Sequence, residues 1–209
     1  MAKIIVFSNL KGGTGKSTVC VHFANYLSIN NGQNVAVFDA DPQQSITNLR
    51  EREKKTNPDV DVPWPVIQLA GQKDTKSIIG KIRKVEGWAL IDSPGTLQSP
   101  NLLEIFKSAD AVVIPFRYDD FVVDSTITFV KVLRKSGINT PIFFLPNCID
   151  RRIKQRNEES VSKILSKAGH ILPRIGQSVH LQRMSTLQIT NLCQPAYVGD
   201  ATEELIKNI

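Results

Sequence analysis

Short apolar runs alternate along the chain with longer stretches in which apolar residues recur every three or four positions. The runs are nearly continuous and rich in valine and isoleucine, which is typical of strands buried on both faces. They predict strands at residues 4–7, 35–38, 66–69, 88–91, 111–115, 142–145 and 171–172. Because helical stretches lie between them, the pattern predicts β-α-β crossovers. We therefore expect an α/β fold with a doubly wound, mostly parallel sheet flanked by helices, in a single domain over residues 1–209.

The helical stretches are predicted from their apolar stripes. Residues 16–28 and 124–135 each place apolar side chains on one face. The last helix is predicted to begin at Asp200, because Glu203 follows it at the spacing of a capping box. Residues 53–65 contain three prolines and many charges, and they predict a surface loop.

Composition narrows the class of protein. With 209 residues, 41% hydrophobic and 22% charged, the chain is neither disordered nor fibrous. Its three cysteines are far apart, which excludes a disulfide framework. No apolar run approaches the ~20 residues that cross a bilayer. The first residues form a strand with no room for a signal peptide, so we expect a cytoplasmic protein. A net charge of +6 favours a polyanionic partner.

A glycine-rich loop joins the first predicted strand to the first predicted helix. Residues 10–18 read LKGGTGKST, in which Gly12, Gly15, Lys16 and Ser17 form the pattern G-x-x-G-K-[ST]; Leu10 stands where the wider P-loop pattern has glycine. Glycines let several N–H groups point at one anion, and the helix N-terminus adds partial positive charge. The loop therefore predicts a triphosphate site, with Lys16 on the β- and γ-phosphates and the Ser17 hydroxyl on Mg²⁺.

Carboxylates follow two of the predicted strands. Asp39 and Asp92 end strands beside the glycine loop, at the sheet edge where α/β proteins bind ligands. Because Mg²⁺ keeps several waters, carboxylates there can hold it through its water shell. Asp92 also begins a D-x-x-G motif, in which the N–H of Gly95 can sense the γ-phosphate as a switch.

Three segments together resemble the ParA/MinD family of ATPases. The loop KGGTGKST, which begins at Lys11, resembles the deviant Walker A motif of that family. VAVFDADPQ at residues 35–43 resembles its second-strand signature, and WALIDSPG at residues 88–95 resembles its Walker B segment. The resemblance covers most of the chain and implies Mg²⁺-dependent hydrolysis of ATP to ADP and phosphate.

The resemblance also implies roles for single residues. It assigns Lys11 to the nucleotide of a partner subunit across a dimer, and Asp41 to orienting or deprotonating the attacking water. Lys11, Lys16 and Asp41 would thus be catalytic. The loop residues expected to bind ATP are Lys11, Gly12, Gly13, Thr14, Gly15, Lys16, Ser17 and Thr18, and the metal residues are Ser17, Asp39 and Asp92.

The adenine site rests on weaker signals. Asn147 ends a predicted strand, where many relatives have an asparagine that binds adenine, and Pro173 follows the last strand, where the family suggests packing on the ring. Ordinary turn roles explain both residues equally well. His22, His170 and His180 show no metal-ligand spacing, and we interpret His22 and His170 as packing or surface residues.

Basic residues are concentrated in two segments. Residues 150–174 contain seven basic and three acidic residues, the basic ones being Arg151, Arg152, Lys154, Arg156, Lys163, Lys167 and Arg174. A second cluster consists of Lys73, Lys76, Lys81, Arg83 and Lys84. Either segment suits non-specific contact with a phosphate backbone, and a solvated helix face is the alternative for each.

The resemblance is closest to small ParA partition ATPases of the ParF type, since no segment for a helix-turn-helix precedes the first strand. It implies a homodimer on ATP binding, non-specific DNA binding on the nucleoid, and hydrolysis triggered by a ParB-like or other small DNA-binding adaptor on plasmid, chromosome or other cargo. The alternatives are a MinD-like ATPase cycling on a membrane and an ATPase that positions a protein cargo. Residues 200–209 carry three acids and one lysine, so no membrane partner is expected.

Overall fold

A computed structural model describes residues 1–72, 74–97, 100–150, 152, 157–187 and 194–209. Seven strands form one parallel sheet in the order β3-β2-β4-β1-β5-β6-β7. They are β1 (Lys3–Phe7), β2 (Val35–Asp39), β3 (Val66–Gln68), β4 (Trp88–Asp92), β5 (Ala111–Phe116), β6 (Ile142–Pro146) and β7 (His170–Ile171). The expected doubly wound fold is confirmed, and each predicted strand is present within a residue or two of its predicted bounds.

Helices cover both faces of this sheet. They are α1 (Lys16–Asn25), α2 (Ser45–Thr56), α3 (Thr75–Arg83), α4 (Pro100–Ser108), α5 (Asp120–Lys135), α6 (Glu158–Leu165), α7 (Val179–Gln182) and α8 (Gln194–Lys207), and a π-helical segment (Tyr26–Asn30) continues α1. Residues that alternate along a strand enter opposite cores: Ile4 and Val6 pack with α3 to α6, whereas Ile5 and Phe7 pack with α1, α2, α7 and α8. This two-sided burial explains why the strands are continuous apolar runs.

Three predicted boundaries were wrong. α5 begins at Asp120, because the Asp119 side chain accepts a hydrogen bond from the Val122 N–H and caps the helix there. α8 begins at Gln194, so Asp200 lies inside the helix and does not cap it. α2 continues to Thr56, which shortens the predicted loop at its start.

The sheet brings the candidate site together at a topological switch point. β1 lies between β4 and β5, and the chain builds the sheet outward on both sides of it. Phe7, Asp92 and Asp39 are register partners across β1, β4 and β2. The phosphate loop and both strand-end carboxylates therefore lie at the same edge, where open α/β sheets bind ligands. None of the helices in the described ranges is both long enough and apolar enough to cross a bilayer.

Candidate nucleotide site

The phosphate loop is held in a conformation that requires glycine. Gly13 and Gly15 have φ values of 75° and 90°, which glycine adopts without strain. The Asn147 side-chain nitrogen donates to the Thr14 carbonyl oxygen at 2.8 Å, and a Cβ on Gly15 would lie 2.4 Å from that nitrogen. α1 starts at Lys16 with no side-chain cap. Its first N–H groups are therefore available to an anion.

Asn9 holds the start of the phosphate loop through hydrogen bonds, and the sequence did not predict this role. Its Oδ1 accepts from the Lys11 N–H at 3.2 Å, and its Nδ2 donates to the Pro115 carbonyl at 2.9 Å and to Thr126 Oγ1 at 3.0 Å. The side chain is fully buried. Asn9 thus ties the backbone of Lys11 to β5 and α5. The available signal was an amide residue placed between an apolar strand and a glycine loop.

Lys11 and Lys16 stand in different environments. The Lys11 side chain is exposed, and no acidic side chain in the described ranges forms an ion pair with it. Lys16 is half-buried and close enough to Asp92 to lower the pKa of that carboxyl. Lys16 therefore lies beside a strand-end carboxylate of its own chain, whereas the Lys11 side chain is exposed at the start of the loop.

Two buried carboxylates each have one oxygen for which the described part of the chain provides no partner. Asp92 Oδ2 accepts from Ser17 Oγ at 2.6 Å. Asp39 Oδ2 accepts from the N–H groups of Ile46 and Thr47 and from Thr47 Oγ1 at 2.9–3.1 Å, and so holds the start of α2. The Oδ1 atom of each aspartate is buried and has no hydrogen-bond partner among the described residues. Buried acceptors in this state are costly unless a donor or a cation meets them.

These residues fit a hydrated Mg²⁺ ion. Mg²⁺ prefers oxygen ligands, keeps several waters and uses one or two carboxylates together with substrate phosphates. Asp39, Asp92 and the Ser17 hydroxyl provide such oxygens beside the loop. Among the described residues, no three His, Cys, Asp or Glu side chains gather closely enough to hold a metal alone. A site completed by water and phosphate agrees with that arrangement.

The pKa of Asp92 is raised to about 7, mainly because the carboxyl is buried. The carboxylates of Asp39 and Asp41 also raise this pKa. The hydrogen bond from Ser17 and the charge of Lys16 act in the opposite direction but do not offset burial. Without a bound cation, Asp92 therefore holds a proton in much of the population at neutral pH.

This raised pKa predicts that the nucleotide-free protein loses stability as the pH rises from about 4 to about 7. In that range the native state keeps a proton on Asp92 that the unfolded chain has released, so stability falls with pH. Asp92→Asn removes this titration. Its unfolding free energy relative to wild type should rise by on the order of 4 kcal/mol between pH 4 and pH 8. Urea unfolding in EDTA measures the difference, and a constant value would contradict the raised pKa.

Asp41 and Gly95 complete the edge of the site. Asp41 lies two residues beyond β2, is half-buried, and accepts from the Gln43 N–H through Oδ1 at 2.9 Å. Gly95 packs on the phosphate loop: a Cβ there would lie 3.0 Å from the Leu10 carbonyl oxygen and 3.3 Å from that of Asn9. The D-x-x-G segment is thus in contact with the loop whose ligand it is predicted to sense.

A cavity of about 240 Å³ extends from the phosphate loop. Its lining combines loop and α1 residues, the end of β6, and the segment after β7: Gly13, Gly15, Thr18, Val19, His22, Asn147, Cys148, Ile175, Gly176, Gln177, Ser178, Leu181, Gln182 and Val198. Asn147 is therefore at the cavity. Pro173 is not, and lines a separate cavity with Tyr118 and His170. The chain after β7 first lines this cavity at Ile175, so Pro173 lies outside it, and the packing of Pro173 on a base stays a prediction.

The basic surface is described only in part. Arg151, Lys154 and Arg156 of the first segment, and Lys73 of the second, lie outside the described residues. Arg152 pairs with Asp150 at 2.8 Å and Arg174 with Glu158 at 2.7 Å. Arg83 is half-buried and bonds to Asp110 and to the carbonyls of Ala2 and Ser108. The exposed lysines are Lys163 and Lys167 in the first segment and Lys76, Lys81 and Lys84 in the second.

Most of the chain is similar to known nucleotide-binding proteins. Residues 5–189 match the family described as the CobQ/CobB/MinD/ParA nucleotide binding domain. The chromosome-partitioning ATPase Soj of Treponema pallidum is 23% identical over 175 residues, which cover 68% of each protein. Maintenance of carboxysome distribution protein A of Gloeobacter kilaueensis is 30% identical over 115 residues, covering 54% of this chain and 48% of that relative. The chain thus spans about half the length of this second relative.

The fold is shared with solved structures. A plasmid partition protein from Borrelia burgdorferi B31, crystallised with AMPPNP, superimposes with a TM-score of 0.78 at 23% identity, and the alignment covers 100% of this chain and 99% of that one. At this level of identity the likeness shows a common fold. The protein with AMPPNP bound has the same architecture as the chain described above.

Proposed function

Because the chain belongs to the CobQ/CobB/MinD/ParA nucleotide-binding domain family, we propose that it is a single-domain ATPase that partitions cargo on DNA. ATP would close a homodimer, the dimer would bind DNA without sequence preference, and hydrolysis stimulated by a partner would release it. The observation that carries the proposal is the exposed Lys11 at the start of a phosphate loop that already contains Lys16. Because Lys16 is half-buried beside the site while the Lys11 side chain is exposed, Lys11 would be available to a neighbouring subunit.

The contacts of the site support the catalytic roles that we propose for its residues. The α1 N-terminus and Lys16 would bind the phosphates, and Ser17, Asp39 and Asp92 would hold Mg²⁺, which supplies neutralisation of phosphate charge when bound. Asp41 projects from the same edge and would orient the attacking water. Gly95 packs on the backbone of the phosphate loop. Loss of the γ-phosphate would therefore change the contacts of the D-x-x-G segment with the loop.

Asn9 supports the assignment of Lys11 to a second subunit. Its hydrogen bond fixes the Lys11 backbone to β5 and α5 while the Lys11 side chain stays exposed. A lysine on a fixed backbone loses less conformational entropy when its side chain binds a phosphate than a lysine on a mobile loop does. In a face-to-face dimer, each Lys11 would meet the polyphosphate of the neighbouring chain and reduce the repulsion between the two ligands.

For DNA contact, we propose the surface formed by Lys163 and Lys167 together with the other basic residues of segment 150–174. Both lysines are exposed, whereas Arg83 in the second cluster is used within the fold. The partner would be a ParB-like or other small DNA-binding adaptor, and the protein would be cytoplasmic and associated with the nucleoid. Similarity to Soj, a chromosome-partitioning ATPase, supports partition as the role.

A double charge reversal tests the DNA surface. Lys163→Glu with Lys167→Glu is expected to weaken ATP-dependent binding to non-specific duplex DNA at least tenfold and to reduce the steepness of its salt dependence, because phosphate contacts are replaced by repulsion. Lys76→Glu with Lys84→Glu is the matched control and should change the affinity by less than about twofold. A mobility-shift assay over a salt series measures both. The reverse pattern would assign DNA binding to the second cluster.

The proposed function as a whole is tested by oligomeric state and activity. Light scattering should find monomers with ADP and dimers with ATP, and non-specific DNA should raise the ATPase rate. The carboxysome-distribution relative favours a second candidate, the positioning of a protein assembly by the same ATPase cycle. ATP-dependent dimers with no DNA binding would support that candidate. Binding of the ATP form to vesicles of anionic lipid would support the membrane-cycling alternative.

A further inference from the structure

Asn147 contacts the phosphate loop directly, although its sequence position suggested a contact with the base. Its Nδ2 atom donates to the carbonyl oxygen of Thr14 at 2.8 Å, and the residue is only 4% exposed. The backbone N–H of Asn147 donates to the Phe116 carbonyl at 2.8 Å, which fixes the residue at the end of β6 beside β5. The side-chain amide of Asn147 is therefore a fixed donor that reaches the loop from the edge of the sheet.

The hydrogen bond to Thr14 sets the direction of the next N–H group in the loop. The Thr14 carbonyl and the Gly15 N–H belong to one planar, trans peptide unit, in which the C=O and N–H bonds point to opposite sides. Because Asn147 holds the carbonyl on its own side of the loop, the Gly15 N–H points to the other side. Gly15 is the residue before α1, so this N–H adds a donor to those of the helix N-terminus.

The loop itself does little to keep this peptide in one orientation. Gly15 has a φ value of 90°, and glycine adopts positive and negative φ about equally well. A reversed peptide would turn the Thr14 carbonyl, which only accepts hydrogen bonds, toward the phosphates and would remove one donor from them. Asn147 also fits closely against Gly15, since a Cβ there would lie 2.4 Å from Nδ2. The contact thus depends on both the glycine and the amide.

We propose that Asn147 is a positioning residue for the triphosphate: by holding the Thr14 carbonyl, it keeps the Gly15 N–H directed at the phosphates of ATP. This inference rests on the proposed function, because it assumes that the loop binds a triphosphate. It differs from a role at the base, since the group that acts on the ligand is the backbone of the loop. The loop is then preformed and held at two places. Asn9 fixes the N–H of Lys11, and Asn147 fixes the other end.

The test removes the donor without adding charge. Asn147→Leu keeps the size and branching of the side chain but leaves the Thr14 carbonyl without its donor. Asn147→Ala lacks the same donor and cannot crowd the loop, so it provides a second measurement if Asn147→Leu does not fold. Asn25→Leu and Asn25→Ala are the matched controls. The Asn25 amide is also buried and donates to a carbonyl, that of Ser185 at 2.9 Å, but it lies at the far end of α1.

Calorimetry measures the binding of ATP and of inorganic triphosphate, which has no base, to each full chain in the presence of Mg²⁺, and melting temperatures report whether each variant folds. Loss of the Asn147 donor is expected to weaken the binding of both ligands by about tenfold, as for one hydrogen bond to a charged group. The ratio of the two Kd values should therefore stay within about twofold of the wild-type ratio. The Asn25 controls should lower the melting temperature but change neither Kd by more than about twofold.

Four outcomes would overturn the inference and leave the proposed ATPase function intact. Weaker binding of ATP with unchanged binding of triphosphate would assign Asn147 to the base. Unchanged binding of both ligands with a lower melting temperature would show a purely structural role. An equal loss of triphosphate binding in the Asn25 controls would point to general loosening of the fold. Wild-type protein that bound ATP but not triphosphate would show that the loop is not preformed. If folded wild-type protein bound neither ligand, the proposed function would fail, and the inference with it.

Discussion

Lys11→Ala is expected to bind ATP but to remain monomeric and to hydrolyse ATP about a thousandfold more slowly. The loop backbone and Lys16 are unchanged, so the nucleotide pocket of each chain keeps its main phosphate contacts. What is lost is the cation that would neutralise charge in the partner pocket; cations supplied across an interface contribute about 10³–10⁵ in the rate of phosphoryl transfer. The same loss leaves two polyphosphates facing each other without compensation, which opposes dimerisation.

Lys3→Ala is the matched control for this prediction. Lys3 is an exposed lysine at the opposite end of β1, so its removal changes the net charge by the same amount without touching the site. Both variants are measured by light scattering with a non-hydrolysable ATP analogue and by single-turnover hydrolysis. If Lys11→Ala dimerised and hydrolysed ATP at the normal rate, Lys11 would have no role across the dimer interface.

Asp41→Ala is expected to bind ATP and to dimerise, but to lower kcat by about 10²–10⁴, the usual range for a general base. Asp41 is half-buried at the edge of the site, and its contact to the Gln43 N–H lies outside the phosphate loop. Binding should therefore be preserved. The bound triphosphate remains in place while the attacking water loses the group that orients it.

Asp61→Ala is the control, because Asp61 is an exposed aspartate in the loop between α2 and β3. Turnover is measured in the presence of DNA, so that a low basal rate does not limit detection. A normal kcat for Asp41→Ala would assign the water to another group. A parallel rise in the Kd for ATP would instead place Asp41 among the residues that hold the nucleotide.

The local parts of the site could be predicted from the sequence, whereas the contacts between residues far apart in the chain could not. The phosphate loop depends on glycines, a helix N-terminus and a lysine within one short segment, so its pattern predicts its geometry. The Asn147 contact to Thr14 joins residues 133 positions apart. Asn9 reaches α5 across 117 positions. No periodicity in the sequence records which distant groups will satisfy a buried amide.

The same distinction applies to other predictions. Pro173 was predicted to pack on a base because it follows the last strand; residues 175–182 line the cavity beside the phosphate loop, and the contact of Pro173 with a base stays a prediction. His22 was interpreted as a packing or surface histidine, and its burial and its contact with the Leu181 carbonyl show that it packs inside the fold. Asp200 has a capping pattern, but α8 is already formed before it.

By itself, the sequence determined the parallel sheet, the order of the motifs and the ParA-type family, because strands buried on both faces are continuous apolar runs and the phosphate-binding chemistry lies within a few adjacent residues. The tertiary structure alone decided that Asp39 and Asp92 meet as register partners, each with an unsatisfied oxygen. It also decided which residues line the cavity beside the phosphate loop. Both outcomes depend on how strands pair and chains cross, and these are properties of the packed molecule that no local pattern contains.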